Sequence, residues 1–364
     1  MSKAELRIGI VGAGLFASYQ HIPALRQIER VKLVAISRRD SDKLSQIQRA
    51  FEIPEAYTDW REMLNSARLD AVVITTPDHL HAEHAIAALE RGKHVLLEKP
   101  MALRYKDAIA IAAAAKASGT VLMVGYNNRV AGKWRTAKKL LAEGVLGTIR
   151  QANFAFASFR RWMWEKDSLP NDMKDEMHAV VKKMGLPPDM FDDWGHTWYK
   201  DPAKSGGGMF VNNATHFVDL ALWLAGAPPS EVAAFTENAG LPVDCFVNVQ
   251  SRLDNGVLLS FTSADAVPQG IMGGDRRIMI VGDDALLYDS PDGSLWIHRG
   301  EERTEIEPQF PAISVSQAFV SSVLDENPNL APGSECTWAV ALTEAAYRSA
   351  AEGRIVSIKG SAIR

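Results

Sequence analysis

The stretch LRIGIVGAGLFA, residues 6–17, decides the fold of this chain. Its first half is an apolar run of strand length, and Gly12, Gly14 and Ala17 follow with the spacing G-x-G-x-x-A. Residues 19–28 then have helical character. In a strand, glycine turn and helix of this kind, the glycines permit a tight turn and let the backbone approach a pyrophosphate closely. The stretch therefore predicts a dinucleotide-binding unit.

The glycine turn also predicts where the cofactor phosphates lie. Free N–H groups at the start of a helix bind phosphate, and Ala17 is small enough for that helix to pack on the strand. Taken alone the spacing is a weak signal, since many such strings are only turns. We expect the pyrophosphate to contact Gly12, Gly14, Leu15, Phe16 and Ala17.

The end of the second predicted strand, residues 31–36, indicates which dinucleotide is preferred. An acidic residue about 20 positions beyond the glycine turn binds the ribose of NAD, whereas an arginine accommodates the 2′-phosphate of NADP. This chain has Ser37, Arg38 and Arg39 there, and these can bind and neutralise a phosphate. The alternative is that the arginines only solvate a loop. We predict a preference for NADP, with NAD as the alternative cofactor.

Strands and helices alternate through the rest of the first third of the chain. The predicted strands lie at residues 71–74, 94–97 and 121–124, with helical patterns at residues 79–91 and 105–118. Such alternation is typical of an α/β fold with a parallel sheet. It predicts a dinucleotide-binding Rossmann domain over residues 1–127.

Glu98, Lys99 and Pro100 follow the predicted strand at residues 94–97. Ligands of open α/β sheets bind beyond the carboxyl ends of strands, so this lysine is expected to face a crevice. A lysine amine in a partly dry cleft loses its proton more readily than one in water, and it can then exchange a proton near neutral pH. The alternative is a solvated surface lysine followed by a turn proline.

Composition and charge favour an enzyme that acts on small molecules. The 364 residues suit two domains, and the 47% hydrophobic and 23% charged content is typical of a globular protein. The net charge of −4 comes without a basic stripe for nucleic acid, and no apolar run of about 18 residues predicts a membrane span. With only Cys245 and Cys336 and no signal-peptide pattern, we expect a cytoplasmic protein without structural zinc.

Several motifs together resemble the glucose–fructose oxidoreductase and inositol dehydrogenase family, also called Gfo/Idh/MocA. They are the glycine turn, TPDHLH at residues 76–81 and GKHVLLEKP at residues 92–100. The resemblance continues through WYKDP at residues 198–202, GGG at residues 206–208, His216 and a helix near residues 345–349. It covers nearly the whole chain.

The resemblance implies an N-terminal Rossmann domain plus a C-terminal α/β domain with a large open, mostly antiparallel sheet. Strand-like segments agree with this, at residues 148–159, 231–237, 244–253, 257–265, 276–282 and 294–298. We expect a substrate-binding and oligomerisation domain over residues 128–335, and a helix and tail over residues 336–364 that pack back on the first domain. A broad open sheet needs cover, so the resemblance implies a homodimer or homotetramer.

The resemblance also implies the catalytic residues. The lysine of the Glu-Lys-Pro motif, here Lys99, is catalytic in the family, and His216 falls on a histidine that faces the substrate. The family most often has aspartate four residues earlier, where this chain has Asn212, which cannot carry charge or relay a proton. On a helix this spacing places Asn212 and His216 on one face. The alternative for His216 is a packed core histidine.

We expect His216 to be the principal base that takes the proton of the substrate hydroxyl. Lys99 then stabilises the developing alkoxide or relays the proton, and Asn212 orients the sugar. All three are expected to contact the substrate, and which of Lys99 and His216 moves the proton stays open.

Further cofactor contacts are expected at the strand ends and family motifs, from Thr75, Thr76, Pro77, His81, Glu98, Lys99, Asn127 and Arg129. By resemblance, His81 lies near the nicotinamide. His79, His81 and His84 are spaced like a metal cluster, but we predict no metal site.

Residues 160–197 form a segment that is longer than in many family members. It contains Trp162, Trp164 and Trp194, with Trp198 just after it, and residues 172–184 predict a short helix. Tryptophan faces suit the apolar faces of a sugar ring, so Trp162 and Trp198 are expected to contact substrate from a lid. The alternative is that these rings pack in the core or at a subunit interface.

These observations predict an NADP-preferring oxidoreductase that transfers a hydride between nicotinamide and a secondary hydroxyl or carbonyl of a sugar, polyol or sugar derivative. Two alternatives are a catalytically silent NADP-binding regulator and a lyase or glycosidase that uses tightly bound NAD. Intact Lys99 and His216 disfavour the regulator, and Arg38 with Arg39 disfavours NAD.

Overall fold

Six parallel strands near the N-terminus form the first of two sheets. The structure, a computed structural model, describes residues 5–159, 162–165, 171–192, 198–265 and 275–358. The strands of this sheet are β1 Leu6–Val11, β2 Val31–Ser37, β3 Glu55–Tyr57, β4 Ala71–Ile74, β5 His94–Leu97 and β6 Leu122–Val124. Their order is β3-β2-β1-β4-β5-β6. The strand order changes direction between β1 and β4, because β2 and β3 lie on one side of β1 whereas β5 and β6 lie on the other side of β4. In open α/β sheets, a ligand crevice is expected beyond the carboxyl ends of the strands at such a point.

The central strands of this sheet are apolar along their whole length. Every residue of β4 is buried, and Ile8 and Ile10 of β1 have no exposed surface. Continuous apolar runs of this kind are needed where helices cover both faces of a parallel sheet. The helices that follow these strands are α1 Ile22–Arg26, α2 Ser41–Ala50, α3 Trp60–Ser66, α4 His81–Glu90 and α5 Tyr105–Ser118, with a π-helical turn at Ala17–His21 and a 3₁₀ turn at Asp78–Leu80.

Nine strands form the second sheet. They are β7 Ile149–Ala157, β8 Pro229–Glu237, β9 Phe246–Leu253, β10 Leu258–Ala264, β11 Asp275–Gly282, β12 Leu286–Asp289, β13 Leu295–Arg299, β14 Glu302–Glu305 and β15 Val356–Ser357. Their order is β14-β13-β12-β11-β7-β10-β9-β8-β15, and β7 with β10 is the parallel pair while the other neighbours run antiparallel.

One face of the second sheet is covered by helices, and the other carries exposed apolar side chains. The remaining helices are α6 Asn127–Val130, α7 Gly132–Ala142, α8 Trp162–Glu165, α9 Asn171–Lys183, α10 Pro202–Ser205, α11 Thr215–Ala225, α12 Val315–Leu324 and α13 Gly333–Glu352, with a 3₁₀ turn at Pro188–Phe191 and a π-helical turn at Phe210–Ala214. Of these, α11 packs on β7 and α13 on β8. On the opposite face, Phe235, Leu258 and Met279 are exposed, and Phe235 keeps 79% of its surface.

Two helices join the C-terminal part of the chain to the first sheet. α13 contacts α5 as well as β8, and α12 contacts α1, α6 and β5. α13 begins at Gly333, so the predicted boundary between residues 335 and 336 falls inside a continuous helix. Within the described ranges, no helix is long and apolar enough to cross a membrane.

The predicted fold class, a Rossmann domain plus an α/β domain with a mostly antiparallel sheet, is confirmed. The sequence pattern does not predict the strands β3, β12, β14 and β15, nor the helices α2, α3, α6, α7, α8 and α10. β3 has three residues and β15 has two, which is too short for an alternating pattern to show. β14 is exposed at every residue and carries no apolar side chain to mark it.

Candidate active site

A cavity of about 900 Å³ lies beyond the carboxyl ends of β1, β2, β4 and β5, where the second half of the chain faces the first sheet. Most of the residues that the sequence analysis selects line it together. They are Gly12, Gly14, Leu15, Phe16, Ser37, Arg38, Arg39, Thr75, Thr76, Pro77, His81, Glu98, Lys99, Asn127, Trp198, Asn212 and His216. Residues that are 200 positions apart in sequence thus line one cavity.

The glycine turn after β1 is held between the ends of β2 and β4. The backbone N–H groups of Gly12 and Ala13 donate to the carbonyl of Ser37, at 3.0 and 2.9 Å, and the Thr75 hydroxyl donates to the carbonyl of Gly12 at 2.7 Å. Gly12 has a φ of +91°, and a Cβ there would lie 2.6 Å from the Cγ2 of Thr76. Only glycine fits this position, and the turn is fixed before any ligand binds.

Helical backbone begins directly after this turn. Phe16 is the N-cap of the π-helical turn Ala17–His21, which continues into α1. The first N–H groups of a helix have no acceptor within the helix, so they are available to an anion. Ala17 itself is fully buried and does not line the cavity, so its role is to let the helix pack closely on the sheet.

Ser37, Arg38 and Arg39 all line the cavity but differ in exposure and in their contacts. Ser37 is buried, whereas Arg39 is exposed. The Arg38 guanidinium donates to the carbonyl of Ala13 at 3.1 Å and lies 6.0 Å from the ring centre of Phe191. The Arg38 guanidinium therefore contacts the glycine turn through Ala13 and the segment 160–197 through Phe191.

An aromatic and basic group that lines the cavity is not predicted from the sequence. Trp60, Arg61 and His84 line the cavity, with Arg61 4.3 Å over the Trp60 ring and the rings of Trp60 and His84 4.6 Å apart. His84 Nδ1 and the Thr76 hydroxyl are 2.9 Å apart. Burial lowers the pKa of His84 to about 4, so this imidazole is neutral. Trp60 follows β3. Because the sequence does not predict β3, it does not predict that Trp60 lies at the cavity either.

Lys99 sits on a short connection that several buried groups hold in place. The N–H of Glu98 donates to the carbonyl of Ile74 at 3.0 Å, and the N–H of Lys99 donates to the Glu98 carboxylate at 3.2 Å. The other carboxylate oxygen of Glu98 is 2.8 Å from His21 Nε2, and His21 Nδ1 is 3.2 Å from the Ser316 hydroxyl. His21, Glu98 and Ser316 are all buried and line the cavity. Residues from three distant parts of the chain thus fix the backbone of Lys99.

Asp244 holds the glycine-rich turn of the second half. Its carboxylate accepts hydrogen bonds from the backbone N–H groups of Gly208 at 2.7 Å and Phe210 at 3.1 Å. It also accepts a hydrogen bond from the Tyr347 hydroxyl at 2.8 Å. A Cβ at Gly208 would lie 2.0 Å from the Asp244 carbonyl, so glycine is required there. This clamp positions the π-helical turn that carries Asn212.

Asn212 and His216 both line the cavity opposite the first sheet. The sequence predicts one regular helix for them, but Asn212 lies in the π-helical turn and His216 in the first turn of α11. The Lys99 amine donates to the backbone carbonyl of Asn212 at 3.0 Å. The side-chain amide of Asn128 donates to the carbonyl of His216 at 3.2 Å, and the Tyr126 ring lies 6.1 Å from the His216 ring.

Arg129 is placed away from the cavity, which corrects its prediction as a cofactor contact. It has no exposed surface, and its guanidinium makes two 2.8 Å bonds to the Asp219 carboxylate and one of 2.6 Å to Glu335. A buried guanidinium needs such partners, since an unpaired buried charge is strongly unfavourable. Arg129 therefore joins α6, α11 and α13.

The three closely spaced histidines have separate surroundings. His79 is exposed, while His84 contacts Thr76 and Trp60. His81 is fully buried, with Nδ1 2.8 Å from the carbonyl of Pro100 and Nε2 2.9 Å from that of Thr76. Burial lowers the pKa of His81. The two ring nitrogens face the carbonyls of Pro100 and Thr76, so His81 connects the segment after β4 to the one after β5. Its predicted contact with a cofactor stays a prediction.

Some residues of the tryptophan-rich segment 160–197, and the two residues that follow it, line the cavity. Trp198 and Tyr199 line it and stack on each other, with ring centres 3.9 Å apart. Met163 and Phe191 also reach it, whereas Trp164 is buried in a small second core. The side chain of Trp162 and all of Trp194 lie outside the described part of the chain, so the predicted contact of Trp162 with substrate stays a prediction.

Asp78 is a cavity residue whose chemistry the sequence analysis does not single out. It opens the 3₁₀ turn after Pro77, and only 7% of its surface is exposed. Burial raises the pKa of Asp78 to about 8, against the opposing field of Lys99. A carboxyl in this state changes its charge close to neutral pH.

Two models of protein families match the chain. The model described as "Oxidoreductase family, NAD-binding Rossmann fold" matches residues 6–126. The model described as "Oxidoreductase family, C-terminal alpha/beta domain" matches residues 138–358. Together they span both sheets and the cavity between them.

Individual relatives agree with these matches. A 1,5-anhydro-D-fructose reductase of Ensifer adhaerens is 24% identical over 361 residues, which is 97% of this chain and 98% of that protein. The scyllo-inositol 2-dehydrogenase (NADP(+)) IolW of Bacillus subtilis is 30% identical over 175 residues, about half of each chain (47% and 48%). In fold, the chain is similar to the WlbA dehydrogenase of Bordetella pertussis, solved with NADH and UDP-GlcNAcA, with a TM-score of 0.76 at 24% identity over 98% of this chain and 99% of that one.

Proposed function

The chain belongs to the Gfo/Idh/MocA oxidoreductase family, and from that premise we propose that it is an NADP-preferring dehydrogenase or reductase of a sugar, polyol or sugar derivative. The observation that carries the proposal is one cavity in which Lys99, Asn212 and His216 face the glycine turn and the strand ends of the first sheet. When bound there, the nicotinamide supplies the hydride chemistry at a secondary hydroxyl or carbonyl. The chain has to supply binding, orientation and proton transfer.

The residues present fit a dinucleotide. The glycine turn is fixed by Ser37 and Thr75, and the close approach of Gly12 to Thr76 leaves no room for a side chain there. The N–H groups at the start of the following helix then suit a pyrophosphate. The cavity volume of about 900 Å³ lies within the range of cofactor sites.

Preference for NADP is supported by the charge at the end of β2. No acidic side chain stands at positions 37–39, and Arg38 is held against the glycine turn by its bond to the Ala13 carbonyl. A guanidinium binds phosphate through two parallel N–H groups, which gives geometric specificity. The relative from Bacillus subtilis carries NADP(+) in its name, whereas the similar structure from Bordetella pertussis contains NADH. We place the preference on Arg38, with Arg39 beside it.

Proton transfer is assigned to His216 and Lys99. In oxidation, His216 takes the proton of the substrate hydroxyl as principal base, and the Lys99 ammonium stabilises the oxygen as negative charge develops. In the direction of reduction, the proton returns to that oxygen. Lys99 is directed to this position by Glu98 and by the carbonyl of Asn212. The amide of Asn212 then orients a substrate hydroxyl without carrying charge.

The substrate class is supported by the cavity wall and by the relatives. Trp198 and Tyr199 form a stacked aromatic pair at the cavity, and aromatic faces suit the apolar faces of sugar rings. The Ensifer relative is named as a reductase of an anhydro sugar and the Bacillus relative as an inositol dehydrogenase. We therefore place Trp198 at the substrate.

The open face of the second sheet supports self-association as a homodimer or homotetramer. Phe235, Leu258 and Met279 stand exposed on the face opposite α11 and α13. Burial of apolar surface is the main driving force of most association, and a two-fold contact would cover the same patch on both subunits.

The test is turnover, followed by nicotinamide absorbance with NADP(H) and NAD(H), across sugars, polyols and their oxidised forms. Lys99→Ala is expected to lower kcat/KM by roughly 10²–10⁴-fold, the usual range for general acid–base groups. Lys106→Ala is the matched control, because Lys106 is exposed and outside the cavity. Absence of turnover with tight NADPH binding would favour a regulator, and NAD retained through purification would favour a lyase or glycosidase.

A further inference from the structure

The hydroxyl of Tyr347 joins the long helix α13 to the glycine-rich turn of the second half. It donates a hydrogen bond to the Asp244 carboxylate at 2.8 Å and accepts one from the backbone N–H of Val211 at 3.3 Å. A Cβ at Gly207 would lie 2.4 Å from the hydroxyl oxygen, so the tyrosine rests directly on the turn. Its ring meets the ring of Phe210 edge to face, with centres 6.2 Å apart. Burial raises the pKa of Tyr347 well above its ordinary value, so the hydroxyl remains a hydrogen-bond donor near neutral pH.

The π-helical turn that carries Asn212 is held by acceptors from outside it. Among the residues that the structure describes, its N-cap makes no side-chain hydrogen bond, and the first N–H groups of a helix find no acceptor within the helix. Asp244 accepts a hydrogen bond from the N–H of Phe210 at 3.1 Å. Tyr347 accepts one from the N–H of Val211, the residue directly before Asn212. The start of this turn is therefore located by Asp244 and Tyr347.

The same turn places the groups assigned to proton transfer. The backbone carbonyl of Asn212 accepts a hydrogen bond from the Lys99 amine at 3.0 Å. The turn continues into α11, where His216 is the second residue. Its far end is held by Tyr126, which follows β6 and whose hydroxyl lies 3.0 Å from that of Thr215. Its near end, with the carbonyl that directs Lys99, depends on the bonds described above.

Helix α13 also reaches the side of the cavity that carries Lys99. Glu344 lies three residues before Tyr347, which places the two on one face of the helix. The Glu344 carboxylate accepts a hydrogen bond from the N–H of Tyr105, the first residue of α5, at 2.5 Å. The connection that carries Lys99 leads directly into α5. Because a helix holds its side chains more precisely than a loop does, α13 contacts both sides of the site at a fixed spacing.

We propose that Tyr347 is a positioning residue for proton transfer: its hydroxyl holds the π-helical turn, and with it His216, at the distance from Lys99 that the reaction needs. Tyr347 acts through the Asn212 carbonyl and does not line the cavity, so it touches neither substrate nor cofactor. The proposal rests on the proposed oxidoreductase function, in which the substrate hydroxyl gives its proton to His216 while its carbon gives the hydride to the nicotinamide. Tyr347 makes and breaks no covalent bond in either direction.

The variant Tyr347→Phe keeps the aromatic ring and removes only the hydroxyl. Ser349→Ala is the matched control, because it removes from the same helix a hydroxyl that also accepts one hydrogen bond and donates one. The Ser349 hydroxyl accepts from the N–H of Ala234 at 3.0 Å and donates to the carbonyl of Arg354 at 2.6 Å. It is buried, and it faces β8 rather than the glycine-rich turn. Both variants are expected to lower the free energy of unfolding in urea by similar amounts.

Kinetics and hydrogen exchange separate positioning from stability. In Tyr347→Phe, kcat is expected to fall by roughly 10–100-fold, since a misplacement of about 1 Å in a site can cost about 100-fold. KM for the nicotinamide cofactor is expected to stay unchanged, because Tyr347 lies outside the cavity. Amide hydrogen exchange over residues 207–213, followed by mass spectrometry, is expected to become roughly tenfold faster through the loss of one hydrogen bond. Ser349→Ala is expected to keep the wild-type kcat and the wild-type exchange over these residues.

A wild-type kcat in Tyr347→Phe, or an equal loss of kcat in Ser349→Ala, would overturn the proposal. If Tyr347→Phe fails to fold, Asp244→Asn serves in its place, because an amide nitrogen would then face one of the donors that the Asp244 carboxylate binds. The same fall in kcat is expected, and a wild-type kcat would again overturn the proposal.

Failure of this inference is distinguishable from failure of the proposed function. Turnover that Tyr347→Phe leaves at the wild-type kcat would remove the positioning role and leave the oxidoreductase. If the wild-type protein turns over no substrate, the exchange measurement still applies. Faster exchange over residues 207–213 in Tyr347→Phe alone would then support the hold of Tyr347 on the turn and contradict the enzyme, whereas unchanged exchange would contradict both.

Discussion

The amine of Lys99 donates a 3.0 Å hydrogen bond to the backbone carbonyl of Asn212, 113 positions further along the chain. This bond joins the connection after β5 to the π-helical turn before α11. Because the acceptor belongs to the backbone, the contact does not depend on which side chain stands at position 212. Asn212 thus has two separable parts, a carbonyl that directs Lys99 and an amide that lines the cavity.

Substitution at position 212 should separate these two parts. In Asn212→Ala, the backbone bond to Lys99 stays, so kcat is expected to fall by about tenfold or less, and KM for the sugar is expected to rise since one hydrogen bond of about 1 kcal/mol is lost. Steady-state kinetics beside Lys99→Ala measures the difference. A loss in Asn212→Ala as large as in Lys99→Ala would contradict this separation.

The parts of the site that the sequence predicts are those set by local pattern. The glycine turn follows directly from the apolar strand before it, and Lys99 follows a strand of four residues that is mostly apolar. In both cases, neighbours in sequence decide the position. The lining of the cavity by these residues therefore agrees with the sequence analysis.

The parts that the sequence does not predict depend on distant partners. Arg129 lies two positions after Asn127, which is exposed at the cavity, but its own partners Asp219 and Glu335 stand 90 and 206 positions away. Local pattern carries no information about such pairs. Trp60 escapes prediction for a related reason, since its position depends on the three-residue strand β3.

The buried pair of His21 and Glu98 should contribute to stability as well as to activity. His21→Ala leaves one carboxylate oxygen of Glu98 and the Ser316 hydroxyl without this partner, so the free energy of unfolding is expected to fall by about 1–3 kcal/mol. Lys99 also loses rigidity, because its N–H bonds to the same carboxylate. Urea unfolding measures the first effect and kcat the second.

His79→Ala is the control for His21→Ala, because His79 is exposed. Surface changes usually stay within about 0.5 kcal/mol. Equal unfolding free energies for the two variants would show that the His21 contacts do not stabilise the fold.

Arg38 should decide between the two dinucleotides. Arg38→Ala removes a guanidinium from the end of β2, and a charge-assisted bond contributes about 1.5–3 kcal/mol. The Kd for NADPH is therefore expected to rise by roughly 10–100-fold, while the Kd for NADH changes little. Isothermal titration calorimetry of both nucleotides tests this, with the exposed Arg49→Ala as control. Similar affinities of the wild-type protein for NADPH and NADH would contradict the preference.

Phe235 offers a test of self-association. Its ring is 79% exposed on the open face of the second sheet, so Phe235→Glu is expected to leave the unfolding free energy of one subunit nearly unchanged. A buried charge at a subunit contact would instead raise the Kd for self-association at least tenfold, about 1.4 kcal/mol. Light scattering after gel filtration gives the mass. Val180→Glu on α9 is the control, and equal masses for both variants would exclude this face.

Asp78 should make the stability of the protein depend on pH. Its pKa is about 8 in the folded protein, against 3.8 for an ordinary exposed aspartate, so between these values the folded state holds a proton that the unfolded state has lost. The contribution of Asp78 to the free energy of unfolding is most favourable below about pH 4. It becomes less favourable as the pH rises towards 8, by at most about 1.4 kcal/mol per pH unit. Urea unfolding from pH 5 to pH 9 measures the slope. Asp78→Asn is expected to flatten that slope and to raise stability relative to wild type above pH 8, whereas the exposed Asp42→Asn is expected to keep the wild-type slope. Parallel slopes for wild type and Asp78→Asn would mean that Asp78 is already ionised in the folded protein at neutral pH.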